Sequence, residues 1–127
     1  MGQAALEAAL KYSRERQQFG RAIGEFQAIQ WKLADMATRL DASRLLTQRA
    51  AWMRDQGMPC GKESAQAKLF ASQTANYCTD ECLQIHGGAG YTDDFHVERL
   101  FRDARITEIY EGATDIQRIV IARSLIA

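Results

Sequence analysis

The amino-acid sequence predicts an all-α fold, an antiparallel up-and-down four-helix bundle. Three observations support this class. Apolar residues recur at steps of three and four over long segments, which is the spacing of one helix face. The 127 residues include a single proline, Pro59. No segment alternates apolar and polar residues over a length that would indicate a strand.

The first two helices are predicted from residues 3–18 and 25–56. The first segment is rich in good helix formers, and Gly20 can take the left-handed conformation that ends a helix. In the second segment the steps of four and three alternate, which indicates packing against antiparallel neighbours. The residues on this seam are Ile29, Leu33, Met36, Leu40, Ser43, Thr47 and Ala50. The glycines and proline of residues 57–61 then predict a tight connection.

Three further helical segments complete the bundle. Residues 62–86 form a third helix, lined with small side chains that let a neighbouring backbone approach, and it ends at the glycine pair 87–88. A shorter helix or an irregular segment spans residues 95–104. The last helix is predicted to begin with Thr114 as its N-cap, and Gln117 three residues later would complete a capping box.

Charge and cysteine content exclude several classes of protein. Sixteen basic residues balance sixteen acidic ones, so the chain lacks the electrostatic footprint of a nucleic-acid or anionic-membrane binder. No apolar stretch approaches the roughly 20 residues of a membrane span. The three cysteines are an odd number, which argues against a disulfide framework and indicates a reducing compartment.

The segment IYEGATDIQ, residues 109–117, holds a candidate catalytic glutamate, Glu111. Gly112 permits a turn that would aim the side chain into a cleft. Tyr110 and apolar helix faces would partly desolvate the carboxylate and make it a stronger base. The alternative is a surface charge that complements the positive end of the following helix, as most acidic residues near a helix start do. The residue pattern alone leaves both explanations open.

Two other segments suggest ligand binding, and each has an ordinary structural explanation. Arg14 and Arg16 beside Phe19 could bind a phosphate and a stacked ring, or simply complement a helix C-terminus. The glycines of residues 87–90 would let a ligand approach the backbone. They end a helix and follow no strand, so they do not match the dinucleotide-binding fingerprint.

Cys78, Cys82 and His86 recur at steps of four on one helix face, which is the spacing of a partial metal site. No fourth ligand is evident, and there is no Cys-x-x-Cys pair. Small buried cysteines are the usual explanation of such a pattern. We therefore expect no metal here.

Four blocks of sequence together resemble the C-terminal helical domain of the acyl-CoA dehydrogenases, the flavoproteins of fatty-acid and branched-chain β-oxidation. In chain order the blocks are ERQQFGRAIGEFQAIQWKLADMATRLDASRLL, KLFAS, QIHGGAGY and RDARITEIYEGATDIQRIVIAR. They cover nearly the whole chain, and RDARITEIYEG followed by IQR is the most specific part. The resemblance implies the same helical fold over residues 1–127.

The resemblance also implies a catalytic role for Glu111. It matches the base that removes the pro-R α-proton of an acyl-CoA thioester while a hydride leaves Cβ for N5 of FAD, giving a trans-2-enoyl-CoA. The backbone N–H of Glu111 would bond the thioester carbonyl and stabilise enolate-like charge. Tyr110 and Gly112 would shape the acyl pocket, and Arg123 matches a position near the bound CoA ester.

An FAD site is implied in the same way. Arg16 would reach the FAD pyrophosphate of a neighbouring subunit, with Phe19 and Gln27 close to the same cofactor. The adenosine diphosphate part would lie against the helix end formed by Gln84, Ile85, His86, Gly87 and Gly88. The start of the last helix would contact FAD through Ala113, Thr114 and Asp115. Ala113 replaces a threonine that is common in the family, so either Thr114 supplies that hydroxyl or the contact is lost.

Further implications concern partners and missing domains. The resemblance implies an acyl-CoA substrate, electron-transfer flavoprotein as electron acceptor and a homo-oligomer that is a dimer of dimers. It implies the bacterial cytoplasm or the mitochondrial matrix. The family's N-terminal helical domain and middle β-barrel are not encoded in these residues, so we expect a fragment or one piece of a split enzyme that is inactive as an isolated chain.

Two alternative functions fit the same residues. The first is an acyl-CoA oxidase-like flavoenzyme domain, in which reduced flavin reacts with oxygen. The second is a non-catalytic helical module retained for self-association through the outer sides of helices 25–56 and 62–86. The sequence leaves the electron acceptor and the preferred acyl chain open.

Overall fold

The structure, a computed structural model, describes residues 1–126 of the chain. Five α-helices occupy most of that range, and the predicted all-α class is confirmed. They are α1 (Gly2–Glu15), α2 (Gln27–Asp55), α3 (Gly61–His86), α4 (Val97–Arg105) and α5 (Thr114–Ile126). Single turns of 3₁₀-helix lie between them at Ile23–Glu25, Gly87–Tyr91 and Ile106–Glu108.

A short β-hairpin follows α1, and the sequence did not predict it. Its antiparallel strands are β1 (Gln17–Gln18) and β2 (Arg21–Ala22). The two turn residues, Phe19 and Gly20, have φ of 55° and 79°, because a two-residue hairpin turn of this kind needs positive φ at both positions. The predicted end of the first helix at residue 18 is therefore wrong by three residues.

The start of α5 differs from the predicted capping box. Thr114 is the first residue of the helix, and its hydroxyl donates to the carbonyl of Glu108 at 3.2 Å. The side-chain amide of Gln117 donates to the carbonyl of Gly112 at 3.0 Å. The capping box is wrong because both side chains bond the preceding loop instead of each other's backbone.

Contacts between charged side chains show that α2 and α3 run antiparallel. The Lys32 ammonium pairs with the Glu81 carboxylate near one end, and Arg49 lies 3.5 Å from the Glu63 carboxylate near the other. The start of α2 therefore lies beside the end of α3, and the end of α2 beside the start of α3. This pairing agrees with the predicted up-and-down arrangement.

The core lies where α1, α2 and α4 meet α3. Its buried residues are Ala5, Leu6, Ala9, Met36, Cys78, Cys82, Ile85 and Val97. Met36 on α2 has no exposed surface, whereas Thr47, further along the predicted seam, is exposed. The seam therefore faces the core mainly in the first half of α2. Small side chains on α1 and α3 allow these helices to pack closely around it.

α5 is the helix that the described part of the chain covers least. None of its residues is buried, and Ile116, Ile119 and Leu125 are all exposed. α5 therefore presents an apolar face that the rest of this chain leaves open.

The helices in residues 1–126 are all too short or too polar to cross a membrane.

Candidate functional site

Two non-glycine residues among residues 1–126 have positive φ, and both belong to the predicted site. Phe19 has φ of 55° and Glu111 has φ of 53°. A residue with a side chain loses on the order of 1–3 kcal/mol in the left-handed region, and such residues concentrate at functional sites. Backbone strain therefore occurs at two of the residues that the family resemblance predicted to belong to the site.

Glu111 lines an open cleft of about 300 Å³ between the middle of α3 and the loop before α5. The lining residues are Lys68, Ala71, Ser72, Ala75, Thr107, Tyr110 and Glu111. Both Tyr110 and Glu111 are exposed. The expectation that Tyr110 and the helix faces shield the carboxylate from water is wrong for this chain by itself, because one side of the cleft is open.

Two side chains hold the loop around Glu111 by bonding its backbone carbonyls. The Lys68 ammonium donates to the carbonyls of Thr107 at 2.9 Å and Gly112 at 2.7 Å. Gln117 also donates to the Gly112 carbonyl, at 3.0 Å. Because hydrogen bonds from a charged group contribute about 1.5–3 kcal/mol each, these contacts offset the strain at Glu111. Lys68 was not predicted as a site residue, and its only signal in the sequence is a long cation among the small residues of α3.

The glycines after α3 differ in what the fold requires of them. Gly87 has φ of 59°, a backbone conformation that suits glycine. Gly90 is packed, because a Cβ there would lie 2.9 Å from the Leu83 carbonyl oxygen. At Gly87 and Gly88 a Cβ would meet nothing within 4 Å. Packing within this chain therefore does not explain why residue 88 is a glycine.

His86 is buried beneath this turn in an aromatic cluster. Its ring stacks on Tyr12 with centroids 4.1 Å apart, and Phe95 meets it edge-on at 5.3 Å. Its Nδ1 lies 2.8 Å from the Cys82 carbonyl and donates to it, so Nε2 is the acceptor of the neutral ring. Burial lowers the pKa of His86. The ring therefore supports the turn from the interior.

The predicted cofactor residues near the N-terminus lie at the same end of the bundle as this aromatic cluster. The Arg16 backbone N–H donates to the Tyr12 carbonyl at 2.8 Å, which ties the hairpin to α1. Phe19 is 87% exposed at the tip of the hairpin, and its ring meets Phe26 edge-on at 6.1 Å. Gln27 follows as the first residue of α2 and is exposed.

The Glu111 cleft and the turn after α3 are separate surfaces. Ala75 is the cleft residue nearest the C-terminal end of α3, and Gly87 lies twelve residues further on, or about 18 Å along a helix. Gln84 is exposed near this end, whereas Ile85 is buried. The structure thus distributes the predicted site residues over both surfaces of the domain.

The residues predicted to contact a cofactor at the start of α5 line another cleft, of about 350 Å³. They are Ala113, Thr114 and Asp115. The Asp115 carboxylate is paired with Arg118 at 2.9 Å, so it is not a free charge. Arg123 is exposed two turns further along α5.

The two cysteines on α3 are part of the core. Burial raises the pKa of Cys78 to about 11 and the pKa of Cys82 to about 12. Both thiols stay protonated near neutral pH and pack as small apolar groups. In the part of the chain that the structure describes, no group of three or more His, Cys, Asp or Glu side chains is arranged to hold a metal ion.

Five helices with open clefts beside α3 and at the start of α5 define this chain as a helical domain. The family model for the acyl-CoA dehydrogenase C-terminal domain matches residues 1–126, and the chain belongs to this family. The probable acyl-CoA dehydrogenase YngJ of Bacillus subtilis is 52% identical over 99% of this chain and 33% of its own length. The mitochondrial short-chain specific acyl-CoA dehydrogenase of Bos taurus is 51% identical over 99% of this chain and 31% of its own length. The chain spans about a third of the length of these relatives.

Solved structures share the fold over nearly all of this chain. Butyryl-CoA dehydrogenase from Megasphaera elsdenii superimposes with a TM-score of 0.97 at 42% identity, over 99% of this chain and 33% of its own. A chain from the structure of the electron transferring flavoprotein of Acidaminococcus fermentans superimposes with a TM-score of 0.96 at 49% sequence identity. The match covers 98% of this chain and 33% of that chain. The FAD complex of PigA superimposes with a TM-score of 0.94 at 36% sequence identity, over 98% of this chain and 32% of its own. These matches confirm the resemblance found in the sequence.

Replacing Glu111 by glycine is expected to stabilise the chain, because glycine adopts a positive φ without steric strain. After the larger chain entropy of unfolded glycine is subtracted, we expect a net gain of about 1 kcal/mol. That gain corresponds to a rise of roughly 4 °C in Tm for a domain of this size, measured by circular dichroism. The control is Glu111→Ala, which removes the carboxylate and keeps the strain. Equal melting temperatures for the two variants would show that residue 111 is unstrained.

The buried His86 is expected to make stability depend on pH. Its folded-state pKa lies below its unfolded value of about 6.5, so its contribution is complete above that value and is lost as the pH falls toward the folded pKa. Tm should therefore fall between pH 7.5 and 5.5. Lys11, Glu15 and His96 line the cavity beside His86 and belong to the same charge environment.

His86→Phe keeps an aromatic ring against Tyr12 and removes the titrating group, so it should flatten this dependence of Tm on pH. His96→Gln, at the exposed histidine, is the matched control and should retain the wild-type slope. A His86→Phe slope as steep as that of the wild type would assign the pH dependence to other groups.

Proposed function

We propose that a protein containing this chain is an FAD-dependent acyl-CoA dehydrogenase, which converts an acyl-CoA thioester to a trans-2-enoyl-CoA. This chain would supply the catalytic base and part of the cofactor wall. The observation that carries the proposal is Glu111, which Lys68 and Gln117 hold in a strained conformation beside an open cleft. Family membership supports the proposal, as do the dehydrogenase names of the relatives.

In this reaction the Glu111 carboxylate takes the α-proton of the thioester. The electron pair of the Cα–H bond becomes the Cα=Cβ double bond as a hydride leaves Cβ. Bound FAD supplies the acceptor for that hydride. The Glu111 backbone N–H would bond the thioester oxygen, which carries negative charge as the proton leaves. Tyr110 and Gly112 would border the acyl chain, and Arg123 on the exposed side of α5 would approach the CoA part.

The surface around the turn after α3 fits the adenosine diphosphate part of FAD. The space beside Gly87 and Gly88 is open, so a diphosphate can approach the backbone closely. Phe19 exposes an aromatic ring at this end of the bundle, and Arg16 exposes a guanidinium that suits a pyrophosphate. The FAD complex of PigA, which shares this fold, supports this assignment.

One family contact to FAD is different in this chain. Ala113 has no hydroxyl, and the Thr114 hydroxyl already donates its hydrogen to the Glu108 carbonyl. Thr114 can therefore accept a hydrogen bond but has no hydrogen left to donate. Of the two possibilities that the sequence left open, we propose that the threonine contact is lost.

Partners and assembly follow from relatives and from exposed surfaces. The match to a chain from the Acidaminococcus electron transferring flavoprotein structure supports such a flavoprotein as the electron acceptor. Trp31, Leu45 and Trp52, three large apolar side chains on α2, are exposed, which supports a contact with another subunit along this helix. We propose a homo-oligomer built through α2, as a dimer of dimers. The bacterial and bovine mitochondrial relatives support the bacterial cytoplasm or the mitochondrial matrix.

Replacing Glu111 by glutamine tests the base. The protein to use is a chimera in which this chain replaces the matching segment of YngJ. We expect kcat to fall by about 10²–10⁴-fold, the range that a general base contributes, while FAD content stays unchanged. Glu7→Gln is the control, because Glu7 is exposed on α1, accepts a hydrogen bond from Gln3 and lines neither the Glu111 cleft nor the cleft at the start of α5. Turnover that survives in Glu111→Gln would end the assignment of Glu111 as the base.

Replacing Gly88 by alanine tests the FAD surface. Tm of the chain should not change, because the added Cβ meets nothing within 4 Å. FAD affinity of the same chimera should fall about tenfold, because the methyl group would occupy the space of the diphosphate. That factor corresponds to a loss of about 1.4 kcal/mol, measured by flavin fluorescence titration. Gly61→Ala, equally open at the other end of α3, is the control. Unchanged FAD affinity in Gly88→Ala would place the cofactor elsewhere.

A further inference from the structure

Lys68 joins the middle of α3 to both ends of the segment that carries Glu111. Its ammonium donates to the Thr107 carbonyl, four residues before Glu111, and to the Gly112 carbonyl, directly after it. The two oxygens lie 2.9 and 2.7 Å from Nζ. One side chain therefore sets the distance of both ends of the loop from α3.

The strained backbone at Glu111 needs such an external constraint. A left-handed non-glycine residue persists only where its surroundings fix it. Gly112, with φ of 90°, gives the next position further conformational freedom, so local sequence alone does not hold the turn. Gln117 bonds the Gly112 carbonyl from within α5 and does not connect the loop to α3. Lys68 supplies that connection at both ends of the loop, whereas the Asn76 amide on α3 reaches only the Thr107 hydroxyl, at 3.5 Å.

The chemistry of a lysine suits this contact. An ammonium has three N–H donors and no acceptor, so it can bond two carbonyl oxygens at once. The charge strengthens both bonds. Lys68 is also the one long side chain that α3 contributes to the lining of the described cleft, beside Ala71, Ser72 and Ala75.

We infer that Lys68 is a positioning residue, which holds the Glu111 loop against α3 and sets the reach of the carboxylate into the cleft. The inference rests on the proposed role of Glu111 as base. The oxygen of a base must lie about 2.6–3.2 Å from the heavy atom that carries the proton. A misplacement of about 1 Å can lower the rate by about 10²-fold. Lys68 acts through Glu111 and does not itself exchange a proton with the substrate.

The first measurement is hydrogen–deuterium exchange of backbone amides in the YngJ chimera. Lys68→Met keeps the length and apolar stem of the side chain and removes the charge. We expect exchange of peptides covering residues 107–113 to rise at least tenfold, with no change in the core helices. Lys62→Met is the matched control on the same helix, because Lys62 contacts the Glu63 carboxylate and no loop carbonyl. Unchanged exchange at residues 107–113 in Lys68→Met would overturn the inference.

The second measurement separates positioning from general stability. In Lys68→Met we expect kcat to fall about 10²-fold at nearly constant KM and FAD content, and the isotope effect of an α-deuterated substrate to rise toward its intrinsic value. Lys68→Arg keeps the charge and should recover part of kcat, although its planar group cannot match both carbonyls. A loss of FAD or a raised KM without a change in kcat would overturn the positioning role.

The two proposals fail in different ways. If Glu111→Gln retains turnover, the base assignment fails, whatever the exchange data on Lys68→Met show. If Glu111→Gln abolishes turnover and Lys68→Met leaves kcat and the isotope effect unchanged, Glu111 remains the base and Lys68 is not its positioning residue. Loosened exchange at residues 107–113 together with a lower kcat and a larger isotope effect supports both.

Discussion

The close packing of α3 against its neighbours is the constraint on which the rest of the structure depends. α3 contacts α1, α2, α4 and α5, and most of its buried residues have small side chains, such as Ala65, Ala67 and Cys78. Small side chains let the helices pack closely, and a change in side-chain volume between them would shift the helices, because protein interiors are packed as densely as organic crystals. The Glu111 cleft and the turn after α3 are therefore both positioned by one helix of 26 residues.

Contacts with α3 explain how a strained loop can exist in a domain of this size. Asn76 donates to the Ala104 carbonyl at 3.0 Å, and Lys68 donates to the carbonyls of Thr107 and Gly112. The end of α4 and the loop before α5 are thus bonded to α3 at successive levels. Strain at Glu111 is offset by these bonds, so the chain can keep a carboxylate in a conformation that local preferences disfavour.

The sequence predicted what depends on local pattern and failed where distant contacts decide. Apolar periodicity gave the helices, because the period reports the buried face. The hairpin was missed, since Phe19 is a poor choice for positive φ and nothing nearby signals that it adopts one. Glu111 was selected by family resemblance, while its residue pattern alone favoured a surface charge. Lys68 lies 39 and 44 residues from the carbonyls it bonds, and no local motif encodes such a contact.

Phe19 and Glu111 also differ in a way that bears on what lies outside this chain. The loop of Glu111 is bonded to α3, so the chain itself accounts for its conformation. Phe19 is strained and 87% exposed, and its edge-on contact with Phe26 buries little of the ring. An exposed aromatic ring gains almost nothing from the hydrophobic effect, so burial within this chain does not offset the strain. The pairing of β1 with β2 holds Phe19 in this conformation with its ring exposed, at the same end of the bundle as the open backbone at Gly88. This arrangement agrees with the proposed FAD contact at both residues.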